Sequence, residues 1–145
     1  MSSNMQVAIV WFRNSLRIHD NPVLSWAYES DDIDFVLPIY IFDEEIRHRS
    51  TQTMGEHRLR FQFECVENLH QNLKNKLDLD LQVFSGDCLE VLESIKGQLK
   101  SFKVNLLKEY STNPRDRKQS ELIEKKLINT NQNWSAKSFP SSQTI

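Results

Sequence analysis

The chain has 145 residues, 39% of them hydrophobic and 26% charged, with a formal net charge of −2. That size predicts one domain with its own core; no apolar run approaches the roughly 18–20 residues of a membrane span, and no basic and apolar leader opens the chain. Three glycines and four prolines exclude a collagenous or low-complexity polymer, and the acidic balance argues against a general nucleic-acid coat.

Taken in order, the segments alternate between two periodicities. Val7–Phe12 is a short apolar run of β-formers and reads as a buried strand. Asn21 then offers a cap and Pro22 a first helical residue that needs no N–H, so a helix is expected to about Glu29. Phe35–Phe42 reads as a second buried strand, with Pro38 predicting a bulge or an unpaired position inside it. Asp43 to Thr53 is polar and reads as a loop. From about Glu56 to Leu77, Leu59, Phe63, Val66, Leu69, Leu73 and Leu77 recur at helical spacing and form one apolar stripe.

Leu81–Phe84 is the third strand, and Asp87 with Glu90 predicts a capped helix start. Leu89, Leu92, Ile95 and Leu99 give that helix its inner face. Val104–Leu107 is the fourth strand, Arg117 to Ile128 a polar helix, and Trp134–Phe139 the fifth strand. Strands that alternate with helices imply right-handed crossovers. The expected fold is therefore α/β: a doubly wound, Rossmann-like, five-stranded parallel sheet with helices on both faces, formed by residues 1–145 as one domain. Ligands of such folds sit beyond the C-terminal strand ends. The segments to inspect are Arg13–Arg17, Asp43–His48, Ser85–Asp87, Lys108–Arg117 and Pro140–Thr144.

Several chemistries are excluded at those ends. The turn after the first strand has no glycine, so it lacks the GxGxxG approach to a pyrophosphate, and no Walker loop exists in the chain. A GxSxG elbow is absent too. Ser15 and Ser85 read as turn or capping residues. Cys65 and Cys88 lack metal or redox spacing and read as small apolar fillers on helices, which suits a cytoplasmic or nuclear setting. Among the histidines, His48 is the best placed for a ligand, and His70 reads as a boundary residue. Arg13, Arg17 and Asp20 crowd one turn: an Arg–Asp ion pair would fix it, or an arginine faces an anionic ligand or second domain. Trp11 and Trp26 read as core residues. The charge is uneven, −4 over residues 1–50 and +4 over residues 101–145. That is either two differently decorated faces or a basic face for an anionic partner.

The first turn also carries a resemblance. Trp11-Phe12-Arg13-Asn14-Ser15-Leu16-Arg17-Ile18-His19-Asp20-Asn21-Pro22-Val23-Leu24 resembles the opening signature of the photolyase/cryptochrome family, of the form WFRxDLRxxDNxxL. Pro38–Asp43 looks like the second strand of that family, Arg58-Leu59-Arg60-Phe61 like the start of its long helix, and Val83–Asp87 like its third strand and glycine turn. The similarity runs from about residue 7 to 139. It implies an N-terminal α/β domain that accompanies a larger helical domain. The helical domain holds FAD, carries a tryptophan electron-transfer chain and contacts DNA, either for light-driven repair, as in deoxyribodipyrimidine photolyase, or for blue-light signalling.

On that division of labour residues 1–145 are the α/β domain without the catalytic FAD domain, and repair chemistry is not expected of them alone. DNA would be a partner only through the full-length architecture, and a helical FAD domain or another protein the docking partner. The alternative is a stand-alone binding module for an antenna chromophore, a reduced folate or a flavin or deazaflavin. The candidate ligands are Arg13 and His48 by their place at strand ends, Asn113 by its match to the family stretch, and Glu109 as a substitute carboxylate. Tyr110–Lys118 resembles the antenna-side stretch YEVNExxRD but has Ser111, Pro114 and Lys118 where acidic residues stand, and Ser15 replaces the Asp of DLR. Glu109 and Asp116 are the remaining carboxylates of the stretch.

Overall fold

In a computed structural model, the residues described are 5–13, 16, 18, 21–43, 55–109, 114–128 and 133–139. Strands β1 (Gln6–Phe12), β2 (Phe35–Asp43), β3 (Gln82–Gly86), β4 (Lys103–Glu109) and β5 (Trp134–Phe139) form one sheet in the order β3-β2-β1-β4-β5. Every pairing is parallel. Helices α1 (Pro22–Glu29), α2 (Gly55–Leu77), α3 (Cys88–Gln98) and α4 (Pro114–Ile123, continued as π-helical turns over Glu124–Ile128) fill the crossovers. The order reverses between β1 and β4. The expected doubly wound sheet is therefore present, with its switch point beside the end of β1.

The period-2 geometry of a strand explains how one sheet serves two cores. Val7, Ile9 and Trp11 face α3 and α4, together with Ile39, Ile41, Val104, Leu106 and Trp134. Ala8, Val10 and Phe12 face α1 and α2, with Tyr40, Phe42 and Leu107. Leu92 and Ile95 close the first core from α3, whereas Val66, Leu69 and Leu73 close the second from α2. A central strand buried on both faces needs apolar residues throughout, and β1 supplies them.

The local signals resolve as follows. Asn21 is the cap of α1: its side-chain oxygen accepts from the N–H groups of Val23 (2.9 Å) and Leu24 (3.1 Å). It is 4% exposed, so no water can replace it. Asn21→Ala is expected to cost about 1–2 kcal/mol, read as a shift in urea midpoint with an unchanged slope. Asp87 caps α3 by accepting from Glu90 N–H at 3.2 Å. Gly86 joins β3 to that cap with φ +135°, a backbone region closed to ordinary side chains.

One expectation is narrowed and two are corrected. Pro38 makes no bulge, because the β1–β2 register runs unbroken through the Val10–Pro38 pair. Pairing with β3 begins only at Ile39, so residue 38 has no partner on that side and the unpaired-position alternative holds. Phe63 is half exposed although it lies on the α2 stripe. Its ring meets Phe42, near the end of β2, at 4.6 Å. The last helix begins at Pro114 rather than Arg117, using proline as a first-turn residue. The Asp43 to Thr53 loop expectation lies, from residue 44 on, outside the described residues.

Candidate functional site

Alternation along the strands also builds the switch-point cleft. Arg13 follows Trp11 by two residues, Lys108 follows Leu106 by two, and Ser138 follows Ala136 by two. All three therefore project from the face that α4 covers. There they line a cleft of about 200 Å³ together with Glu109 and, from α4, Asp116, Arg117 and Glu124. A larger hollow of about 380 Å³ lies between the end of α3 and the start of β5, lined by Lys96, Gly97, Phe102 and Trp134. It sits at the N-terminal ends of the strands, away from the switch point. The smaller cleft is the one at the switch point, where a doubly wound fold places its ligands.

Arg13 is the anchor of the cleft. Its Nη2 donates to Asp116 Oδ1 at 3.1 Å and also to Gln119 Oε1, and its guanidinium lies 4.2 Å from the Trp11 ring centre. The two charged side chains are only 12% and 8% exposed. Asp116 stands in the first turn of α4, where the helix dipole favours an anion. The sequence offers Arg13 a pairing within its own turn, or a role toward an anionic ligand or second domain; in the structure it pairs with Asp116, 103 residues away in sequence. Arg17 and Asp20 lie outside the described residues.

Lys108 is 5% exposed, on a strand near the centre of the sheet. Its Nζ donates to Ser138 Oγ at 2.8 Å, directly across the β4–β5 register. Burial pushes the amine below the ordinary lysine range; Glu124 pulls it partly back and the Arg13 charge depresses it further. The unfolded chain therefore keeps this proton to higher pH than the native state. Stability gained from relieving the buried cation grows as pH rises through the folded value toward 10.5. Lys108→Met removes that titration. Its stability relative to the parent should fall as pH rises from neutral toward 10.5, as read in a urea-unfolding series.

Of the four residues proposed as ligands, Arg13 and Glu109 are brought to one cleft. His48 and Asn113 lie outside the described residues. Lys108 and Ser138 were not singled out from sequence as a pair. The signal that finds them is strand alternation read together with parallel register. His70 is half-buried on α2, as a boundary residue should be, and Trp11 is a core residue. Trp26 is half-buried against Phe139, with ring centres 6.0 Å apart. Cys88 is buried at the start of α3, and Cys65 is partly buried on α2. Among the described residues no group of His, Cys, Asp and Glu could hold a metal, and no helix is long and apolar enough to cross a membrane.

Comparison with known proteins decides the family. Residues 8–143 match the family described as DNA photolyase. The chain belongs to the DNA photolyase family. It is 42% identical over 94 residues to a rice cryptochrome DASH (chloroplastic/mitochondrial), covering 61% of this chain and 16% of that protein. It is 35% identical over 115 residues to an Arabidopsis thaliana (6-4)DNA photolyase, covering 74% of this chain and 20% of that one. Thus it spans about a sixth to a fifth of these relatives.

Among solved structures, a Synechocystis cryptochrome superposes with a TM-score of 0.76 at 24% identity, covering 97% of this chain and 28% of its own. A class III photolyase from Agrobacterium tumefaciens superposes at 0.68 and 21% identity, covering 97% and 27%. These two establish the fold. The photolyase family is one of flavin and folate chemistry. Drug-sized ligands occupy pockets of roughly 300–1,000 Å³. As lined by the described residues, the switch-point cleft is about 200 Å³ with Arg13 tied to Asp116, below that range.

Proposed function

We propose that residues 1–145 serve as the N-terminal α/β domain of a light-driven photolyase or cryptochrome flavoprotein, with the flavin chemistry located in a helical domain outside them. The match over residues 8–143, set against 16–20% coverage of the relatives, carries this reading. The role of the domain is then architectural: a rigid sheet that docks on the helical domain and, through it, serves DNA repair or signalling. Phe61 and Phe63, 63% and 49% exposed on α2, supply apolar surface of the kind a docked domain covers. A cytoplasmic or nuclear setting belongs to this reading and rests on the two cysteines that form no disulfide.

Irradiating the purified chain with added FAD and a dimer-containing oligonucleotide should leave the dimer intact. Repair by the chain alone would overturn the reading.

The second reading is a binding module for a folate or flavin antenna. It is favoured by the placement of Arg13 and Glu109 at the switch point and would add His48 and Asn113. The Arg13–Asp116 pair and the small cleft weigh against it. Fluorescence titration with a reduced folate and with a flavin tests it; saturation at micromolar ligand would support the module, and a flat titration would remove it.

A further inference from the structure

We propose that Ser138 and Lys108 form a nucleophile–base pair that accepts an acyl group from a small, uncharged ester. The two side chains meet at 2.8 Å across adjacent strands. Ser138 is exposed and Lys108 is 5% exposed, so the accessible partner is the one placed to attack and the sheltered partner the one placed to hold a proton. Both line the same open cleft. Nucleophile and base are within hydrogen-bond reach; Nζ donates to Oγ while it carries its proton, and once neutral it can accept the hydroxyl proton over the same distance. Serine–lysine pairs are a known variant of the serine–histidine arrangement on unrelated folds.

The surroundings fit the same chemistry. Burial lowers the Lys108 amine, Glu124 on the same lining pulls it partly back, and Arg13, held there by Asp116, lowers it again, so more of it is neutral at a given pH than for a free lysine. Glu124 opens the π-helical turns of α4, a geometry concentrated at functional sites. Arg117 is an exposed cation on the same lining. The ligand class follows from volume and charge. A cleft of about 200 Å³ admits an acyl group of a few carbons. Glu109, Asp116, Glu121 and Glu124, against Arg13 and Arg117 with Lys108 neutral, disfavour an anionic ester.

The step balances within the pair. Neutral Lys108 Nζ takes the Ser138 Oγ proton as Oγ bonds to the ester carbonyl carbon. Collapse of the intermediate breaks the bond to the alcohol oxygen, which takes the proton from Nζ and leaves. Water then attacks the acyl-serine with Lys108 again as base, releasing the acid and restoring the hydroxyl.

The test treats the full chain with p-nitrophenyl acetate at mildly alkaline pH and maps the acetyl group by peptide mass spectrometry. A burst of nitrophenolate with the acetyl group on Ser138 is expected. Ser138→Ala should abolish it. Lys108→Arg keeps a cation and a donor but not a group that can be neutral, and should slow acylation at least about a hundredfold. Acetyl groups on lysines alone, with Ser138 unmodified in the folded parent, would overturn the proposal. So would a folded Lys108→Arg variant that acylates Ser138 at the parent rate.

Discussion

Asp116→Ala is expected to lower the unfolding free energy by about 3–5 kcal/mol, the range for breaking one side of a buried ion pair. The variant leaves the Arg13 guanidinium, 12% exposed, over the Trp11 ring and donating to Gln119 Oε1. Removing a partner from a buried charge costs more than the pair contributes, because the desolvation of the survivor is no longer offset. Asp116→Asn keeps an acceptor and should lose less. An Arg13→Met, Asp116→Leu double variant should recover much of the loss, since well-packed apolar replacements of buried pairs are often near neutral. Urea unfolding of the four proteins reads this directly. A change under 0.5 kcal/mol for Asp116→Ala, well below the range above, would show that Arg13 is not dependent on it.

Leu69→Ala and Leu92→Ala form the second large pair. Leu69 on α2 is 1% exposed and Leu92 on α3 is fully buried, on opposite faces of the sheet. Each truncation deletes buried methyl groups and leaves a cavity, at about 2–5 kcal/mol. The sheet separates the two sites, so their effects should add to within about 0.5 kcal/mol. A coupling well above that would mean that the two cores repack together, contrary to the two-layer description. Measuring the double variant in a stabilising osmolyte keeps a native baseline if the combined loss approaches the total stability of the domain.

The fold was legible because its signals are local. β1 and β5 are apolar or alternating runs with turn chemistry on either side, and the α1 start was written in Asn21 and Pro22. The start of α4 lies three residues before Arg117, at Pro114, which carries the same first-turn signal; the polar run after it has little apolar periodicity to extend the helix backward. The π-helical turns at Glu124–Ile128 have no sequence signature at all.

The site was less legible, for a physical reason. Arg13 has a near carboxylate in sequence at Asp20, and proximity along the chain favours that pairing. The fold brings Asp116 to it instead by way of the β1–β4 crossover. Lys108 and Ser138 are polar residues at positions whose alternation points inward. Such a pair becomes visible only when the register of two strands is known, because neither residue alone says what stands opposite it.

The central claim is that these residues form the α/β part of a photolyase-family flavoprotein and do not themselves hold its flavin. The visible absorbance spectrum of the purified chain after expression in flavin-replete cells tests it most directly. The account predicts protein absorbance with no flavin bands. Stoichiometric FAD that survives gel filtration would contradict it.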